Sequence, residues 1–328
     1  MQFTPLDKTL PNCFMIEKKV LICILSYNNY FDTRECINSL LNLKGNNYKI
    51  LLIDNGSTDD SIKKIEFEFS NINIIKLSKN YGVPTGFNFG VYYAYKNGYD
   101  FIFILNNDTV VEPDSLKELM EIRNIDSSFG LAMPQIIDYS KKNNSNIQRK
   151  DIWSDGGYFR YFPPAIILKD NRPGINFKVP RKIEYAPACG ILLPLETFKL
   201  IGLFDIGYFF FFEDWDFSIR IKKAGLNIWC IPNAKLWHKI SKSTAKNKEL
   251  YWKIFGESAA KFYRRHFSPF SAFLQICYFL LREFFIKGNI KFCKTFLKGV
   301  KAGLEYELES YPEFDDFKRV YEQEVCEI

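Results

Sequence analysis

The sequence predicts an α/β fold with a helical C-terminal extension, and three features of its 328 residues carry that expectation. From Lys18 onward, short β-rich runs alternate with helix-length amphipathic runs, the pattern of parallel strands joined by crossover helices. Several β-rich runs end abruptly in Ser, Asn or Asp, the residues that cap the following helix. After His238 the pattern turns helical to the end, with lysines interleaved among Phe, Leu and Ile. Three segments follow from this: an N-terminal extension 1–17, an α/β domain 18–245 and a C-terminal helical region 246–328.

In chain order, Val20–Leu25 predicts a strand, Asp32–Leu43 a helix, Tyr48–Ile53 a strand, Asp59–Phe69 a helix, and Ile72–Leu77 a strand. Thr85–Lys96 then predicts a helix and Asp100–Leu105 a strand. Pro113–Ile125 predicts a helix whose proline lies in the first turn, where a missing N–H costs nothing. A strand follows at Leu131–Ile137. Between Asp138 and Pro180 the composition shifts to Lys, Asn, Gly and Pro with scattered aromatics, which predicts a loop-rich insertion or hairpin. Regular structure resumes with Tyr185–Leu193 and a short helix from Pro194.

Composition narrows the function classes. A 47% hydrophobic, 25% charged chain of net charge +6 is an ordinary globular protein with a mild basic bias. It has no long Lys/Arg block and no zinc or RNA-binding signature, so nucleic acid is not expected as a partner. Its eight cysteines are scattered, several in apolar runs, and read as reduced core thiols. Pro5, Asp7, Pro11 and Glu17 break the layout of a signal peptide. The longest apolar stretch, Phe270–Leu281, has 12 residues, short of the roughly 20 that span a bilayer. A cytoplasmic protein is expected.

Arg282, Lys287, Lys291, Lys294, Lys298 and Lys301, interleaved among Phe, Leu and Ile and from Lys287 onward spaced by threes and fours, suit an amphipathic helix on the anionic inner face of the cell membrane. The alternative is a helical cap packed on the α/β core with its lysines solvated, since such stripes are commonest in ordinary surface helices. The aromatic-rich C-terminal helices also offer a surface for a homodimer.

The chemistry-bearing residues gather where strands end. Leu105-Asn106-Asn107-Asp108 closes an apolar strand in three polar side chains; a carboxylate there can hold a hard divalent ion that neutralises a diphosphate, or can merely cap a turn. Asp54 follows the second strand, placed to accept from a pyrimidine N–H or to form an Asx turn. Ser26, Tyr27 and Asn28 end the first strand and can hold a base by stacking and hydrogen bonding. Asn80-Tyr81-Gly82-Val83-Pro84-Thr85-Gly86-Phe87-Asn88 enters a helix with glycines that permit either a nearby phosphate or tight helix-to-sheet packing; it is neither a dinucleotide fingerprint nor a P-loop.

Phe209-Phe210-Phe211-Phe212 runs directly into Glu213, Asp214 and Asp216. Carboxylates beside four aromatics have raised pKa values and suit a general base, although a helix N-terminus also favours acids. His238 offers an imidazole to a metal such as manganese, or a structural contact, next to the basic, hydroxyl-rich Lys239–Thr244. His266 has no evident partner in the sequence.

Taken in order, ILSYNN, ILLIDNGSTDDS, LSKNYGVPTGFN, FILNNDTVVEPDSL, ACGILLPLETF, IGLFDIGYFFFFEDWDFSIRIKKAG and WHKISKST resemble the family 2 glycosyltransferases, especially bacterial rhamnosyltransferase-like members. The resemblance runs from Lys19 to Thr244. It implies a GT-A, Rossmann-like fold, a nucleotide-diphosphate sugar donor, a glycan or lipid-linked glycan acceptor, and a divalent metal, manganese or magnesium. Asp108 matches the key metal ligand of a DxD-like Asn106-Asn107-Asp108 motif, and His238 a late metal ligand. Asp214 matches the catalytic base, with Glu213 and Asp216 supporting the acceptor. Tyr27, Asn28 and Asp54 match base-binding positions, and Asn80, Gly82, Gly86 and Asn88 the segment near the donor.

Two positions depart from the pattern: Asn106 replaces the first motif Asp, and Pro84-Thr85 stand where relatives often have Ala-Gly. The implied activity is an inverting transfer from dTDP-rhamnose or a UDP-hexose in cell-surface polysaccharide synthesis. A sugar-nucleotidyltransferase would need a Gly-rich, Arg/Lys-bearing loop where Ser26-Tyr27-Asn28-Asn29 stands. A non-catalytic nucleotide-sugar-binding assembly subunit would not need Asp108, Asp214 and His238 together.

Overall fold

The computed structural model describes residues 18–45, 47–142, 147–161, 164–167, 169, 176–239, 248–286 and 289–325. The N-terminal extension 1–17, the hydroxyl-rich 240–244 and Lys287 lie outside the described residues.

The first half is built from alternating units: β1 (Val20–Ser26), α1 (Tyr30–Leu41), β2 (Tyr48–Asp54), α2 (Ser61–Glu68), β3 (Asn73–Lys76), α3 (Val83–Lys96) and β4 (Phe101–Asn106). Every residue of β1 is buried, as expected of a strand covered on both faces, and each large aliphatic there contributes about 1.5–3 kcal/mol. Strands β3-β2-β1-β4 pair in parallel. Helix α3 lies close against β1 because Gly86 and Gly90 face Leu25 and Cys23, where a Cβ would collide.

The second half widens the sheet. β5 (Thr109–Val111) leads to two short helices, α4 (Ser115–Met120) and α5 (Ile122–Ile125), where one helix was expected over Pro113–Ile125. The helical path is interrupted at Glu121, between the two apolar anchors Leu119 and Ile122 that both enter the core. β6 (Phe129–Asp138) is followed by β7 (Ile152–Ser154) and a hairpin of β8 (Tyr158–Tyr161) and β9 (Pro164–Ile167), in the segment read as insertion or hairpin.

Next come β10 (Arg181–Ile183), β11 (Gly190–Pro194), α6 (Leu195–Ile201), α7 (Glu213–Lys223) and β12 (Asn227–His238). The sheet order is β10-β12-β6-β11-β4-β1-β2-β3, with β5 on β12 and β7 on β6. β11 is antiparallel to both β4 and β6, while β12 is parallel to β6. The carboxyl ends of β1, β2, β3, β4, β6 and β12 therefore share one edge with the start of β11.

The C-terminal helices are α8 (Lys248–His266), α9 (Pro269–Leu281) with a π-helical turn over Arg282–Ile286, α10 (Ile290–Glu305) and α11 (Phe314–Val325). The helical C-terminal extension expected from the sequence is present, and it is packed on the α/β domain. Phe314, Phe317 and Tyr321 of α11 belong to the main core, against Phe89 and Tyr92 of α3. Helices α8 and α10 touch backbone to backbone: Gly256, Gly299 and Gly303 leave no room for a Cβ against Phe296, Lys253 and Glu257. This pair, with α9, forms a second core that receives Tyr208 and Phe212 from the α/β domain.

Four cysteines of the described residues, Cys23, Cys36, Cys189 and Cys230, are buried free thiols, and Cys277 and Cys293 are free and partly buried. No helix among the described residues is long and apolar enough to cross a membrane.

Candidate active site

Strand ends supply the first wall of the site. Ser26 closes β1, and the two residues that turn the chain into α1, Asn28 and Asn29, adopt left-handed φ values of 56° and 70°, which Asn tolerates better than most residues. That turn aims Asn28 across to β2: its backbone N–H donates to Ser57 Oγ at 2.7 Å, and its side-chain oxygen accepts from Thr58 N–H at 2.9 Å. Asp54, buried at the end of β2, accepts from both the N–H and the hydroxyl of Ser57. Burial raises its pKa against the pull of those donors. Tyr27 is half exposed beside this network.

The segment expected near a donor divides on inspection. Asn80 Oδ1 accepts from Gly82 N–H and from Asn55 Nδ2, at 2.9 and 3.1 Å. Asn55 also accepts from Tyr81 N–H and donates to the Gly82 carbonyl, so it fastens the end of β2 to this loop. Gly82 has a φ of 85° and lies against the Phe209 backbone, whose carbonyl accepts from Val83 N–H at 2.8 Å. The donor-side expectation for Asn88 is corrected: it is fully buried, donating to the Phe204 carbonyl at 2.9 Å and accepting from its N–H at 3.0 Å. Gly86 likewise faces Leu25 in the core, the tight-packing alternative of the sequence reading.

At the end of β4, Asn107 Nδ2 donates to Thr33 Oγ1 at 2.9 Å and to Ser26 Oγ at 3.3 Å. The Asn106 backbone serves as a hinge, its N–H donating to the Cys189 carbonyl and its carbonyl accepting from Thr109 Oγ1. The pairing of β12 with β5 sets His238 opposite Thr109. Consequently His238 Nε2 lies 3.3 Å from Asp108 Oδ1. Both residues are buried, and among the described residues Asp108 Oδ1 and His238 Nδ1 have no hydrogen-bond partner. Lys239 next door bridges Asp32 and Glu35, tying the end of β12 to α1.

The first turn of α7 supplies a second group of acids. Phe211 and Phe212 both take φ of 68°, a conformation that costs aromatic residues of order 1–3 kcal/mol each. Packing holds them there: Phe212 meets Trp215 edge-on and Phe255 and Phe262 at a tilt, and Ser258 Oγ donates to the Phe210 carbonyl. The turn brings Asp214 against the start of β11. Tyr185 OH donates to Asp214 Oδ2 at 2.6 Å, and Trp215 N–H donates to Oδ1 at 2.9 Å. Burial pushes the Asp214 carboxyl above its ordinary range despite these donors. Glu213 is raised too, by burial and by the charge of Asp214, and its Oε2 has no partner among the described residues. The segment that leads into β11 links both groups: its Cys189 carbonyl accepts from Asn106 N–H, two residues before Asp108, and its Tyr185 holds Asp214.

Asp216 was grouped with these acids in sequence, and the structure corrects that grouping. Two residues further along α7, it is fully buried on another side of the helix. Arg220 Nε donates to its Oδ2 at 2.8 Å, while His266 Nε2 at 2.7 Å and Tyr311 OH at 3.0 Å face Oδ1. Burial opposes its ionisation, but Arg220 and His266 outweigh it and hold its pKa below the ordinary value. An acceptor hydroxyl cannot reach this carboxylate; it anchors α7 to the C-terminal region. His266 thus has the partner its neighbourhood in sequence did not reveal.

Tyr185, Asn55, Thr33 and Ser57 are the contributors that sequence reasoning missed. Nothing local marked them, because their partners are distant along the chain, by 74 residues in the case of Thr33 and Asn107. Helix α11 adds a further brace, since Glu324 accepts from Ser78 N–H and Oγ, both at 2.9 Å, and from Tyr81 OH.

A family model described as Glycosyl transferase family 2 matches residues 21–192. The chain is similar to the dTDP-rhamnosyl transferase RfbF of Shigella flexneri, 22% identical over 239 residues that cover 70% of this chain and 72% of the relative. Its fold is similar to that of GalNAc-T7 crystallised with UDP, GalNAc and Mn2+, with a TM-score of 0.54 at 14% identity, over 75% of this chain and 50% of that one. It is also similar to S. aureus TarS, with a TM-score of 0.50 at 14% identity, over 81% of this chain and 43% of that one. The chain therefore spans half or less of the length of these two structures.

Proposed function

The chain belongs to glycosyl transferase family 2 and has the GT-A fold, and from that premise we propose that it catalyses an inverting, metal-dependent sugar transfer from a nucleotide-diphosphate donor to a glycan or lipid-linked glycan. The observation that carries this reading is the buried pair Asp108 and His238, 3.3 Å apart, with Asp214 held by Tyr185 in the segment that leads into β11, whose Cys189 carbonyl bonds Asn106 two residues before Asp108. The relative's name favours dTDP-rhamnose as donor, with a UDP-hexose as the other candidate.

The residues present fit a divalent cation. Asp108 Oδ1 is buried, lacks a hydrogen-bond partner among the described residues, and lies near enough to His238 Nε2 for both to serve one ion. Among the described residues no group of three potential ligands is assembled, so a cation here would complete its shell with donor phosphate oxygens and water, as magnesium-type sites do. When bound, it would supply charge neutralisation to the departing diphosphate.

In the proposed step Asp214 accepts the proton of the acceptor hydroxyl. That oxygen attacks the anomeric carbon in line, and the bond from that carbon to the diphosphate oxygen breaks with its electron pair leaving on the nucleoside diphosphate. Tyr185 and the Trp215 N–H orient the carboxylate, while its desolvation makes it a stronger base than a solvated Asp. Asn28, Asp54 and Tyr27 are positioned to hold the nucleoside, and Asn107 to support the wall beside it. Glu213 has a free buried oxygen and is proposed to orient the acceptor with Asp214.

The test is a donor-hydrolysis screen with dTDP-rhamnose, UDP-galactose, UDP-glucose and UDP-N-acetylhexosamines, with manganese or with EDTA. Metal-dependent release of one nucleotide diphosphate, lost in Asp108→Ala, supports the reading. Release that is unchanged by EDTA and by Asp108→Ala overturns the metal assignment.

A further inference from the structure

Helix α9 and the π-helical turn after it expose a continuous apolar stripe. Phe270, Phe273, Leu274, Leu281, Phe284 and Phe285 recur at spacings of three, four and seven, the period of one helix face. Phe270, Phe273 and Phe285 are 70%, 62% and 74% exposed. The opposite face, with Ala272, Gln275 and Phe279, is the one packed on the second core. Ile290, Leu297 and Leu304 continue the exposed apolar surface along α10.

Charge is concentrated on the same stretch. Residues 268–304 contain six basic residues and one acid, Glu283, and so hold five of the six net positive charges of the chain. Glu283 is buried and bonded to Arg282. Lys291 is paired with Glu249, and Lys301 lies 3.8 Å from Glu305. Lys294 and Lys298 are exposed and have no ionic partner among the described residues.

We propose that the α9–α10 face docks on an anionic lipid bilayer, with the phenylalanines entering the headgroup boundary and the α10 lysines facing the lipid charges. Exposed aromatics beside two unpaired lysines match an interfacial helix, with the exposed acids at this face, Glu249 and Glu305, lying against Lys291 and Lys301. A second copy of the chain fits this face poorly, because it would bring like charge against like charge. The sequence shows basic residues interleaved among Phe, Leu and Ile; which of those apolar side chains stay exposed, the phenylalanines of α9 above all, is visible only from the packing. The proposal does not depend on the sugar-transfer reading, and its test involves no turnover.

The experiment is co-sedimentation of the full chain with vesicles of phosphatidylcholine alone or with about one-quarter phosphatidylglycerol, at low and high salt. Binding to the anionic vesicles, weakened by salt, is expected. Lys294→Gln should weaken it about fivefold, as should Lys298→Gln, and Phe273→Ser with Phe285→Ser by tenfold or more; all are exposed positions where the fold is insensitive. Absence of binding by the parent protein at low salt overturns the proposal. So does a dimer in analytical ultracentrifugation that the Phe273→Ser, Phe285→Ser protein no longer forms, since the face would then be an interface between copies.

Discussion

Replacing Asp214 by Asn separates the catalytic proposal from the structural demands of the same position. The change is nearly isosteric: Oδ1 can still accept from Trp215 N–H, and the new amide still meets Tyr185 OH, which can turn to accept. What is lost is a proton acceptor for the acceptor hydroxyl, worth about 10²–10⁴ in rate, or roughly 3–5 kcal/mol of transition-state stabilisation. What is gained is relief from desolvation. The folded pKa of Asp214 is raised above its unfolded value by burial, so ionised Asp214 opposes folding at neutral and alkaline pH. This penalty disappears as pH falls below the unfolded value.

Asp214 retains some exposure, so the stability gained by Asp214→Asn at pH 8 is expected to be about 1 kcal/mol rather than the full value of a sealed carboxylate. Thermal unfolding at pH 8 and pH 5, beside kcat/KM with the donor identified by screening, reads both quantities. The expected pattern is a large loss of transfer with an unchanged or higher Tm at pH 8, the gap narrowing at pH 5. Full transfer activity would place the base elsewhere, and a Tm lowered by several degrees at pH 8 would show that the carboxylate supports the fold instead of burdening it.

In Asp108→Ala, donor hydrolysis should fall about 10²–10³-fold, as expected when a charge-stabilising group at the leaving oxygen is lost, and added manganese should not restore it. Asn88→Ala should leave the KM for donor unchanged in whatever fraction folds, while urea unfolding registers a loss of about 2–4 kcal/mol, because the Phe204 N–H and carbonyl both lose a buried partner. His266→Gln should cost about 2–3 kcal/mol in the same assay, since Asp216 keeps Arg220 but loses the His266 Nε2 contact to its buried Oδ1. The wild-type pH profile of kcat should show an acidic limb above the ordinary carboxylate range, because the desolvated Asp214 must be ionised to act; a limb near the solvated Asp value would contradict its role.

The chain's own order of residues determined the alternation of strands and helices in the first half, because burial on both sheet faces requires unbroken apolar strands and amphipathic helices between them. It also marked the strand ends, where Ser26, Asp54 and Asn106–Asp108 interrupt those runs. Local pattern could not reveal the antiparallel insertion of β11 between β4 and β6, nor the bond from Tyr185 to Asp214, since both depend on which strands become neighbours. The same limit hid the division within Glu213-Asp214-Trp215-Asp216. Adjacent acids on a helix diverge by about 100° per residue, so Asp214 meets the site while Asp216 meets Arg220, His266 and Tyr311. The C-terminal helices read as an appendage because their anchoring contacts, Phe317 on Phe89 and Glu324 on Ser78, join residues more than two hundred positions apart. Only tertiary packing, which trades chain entropy for such distant contacts, decided that they help to build the site.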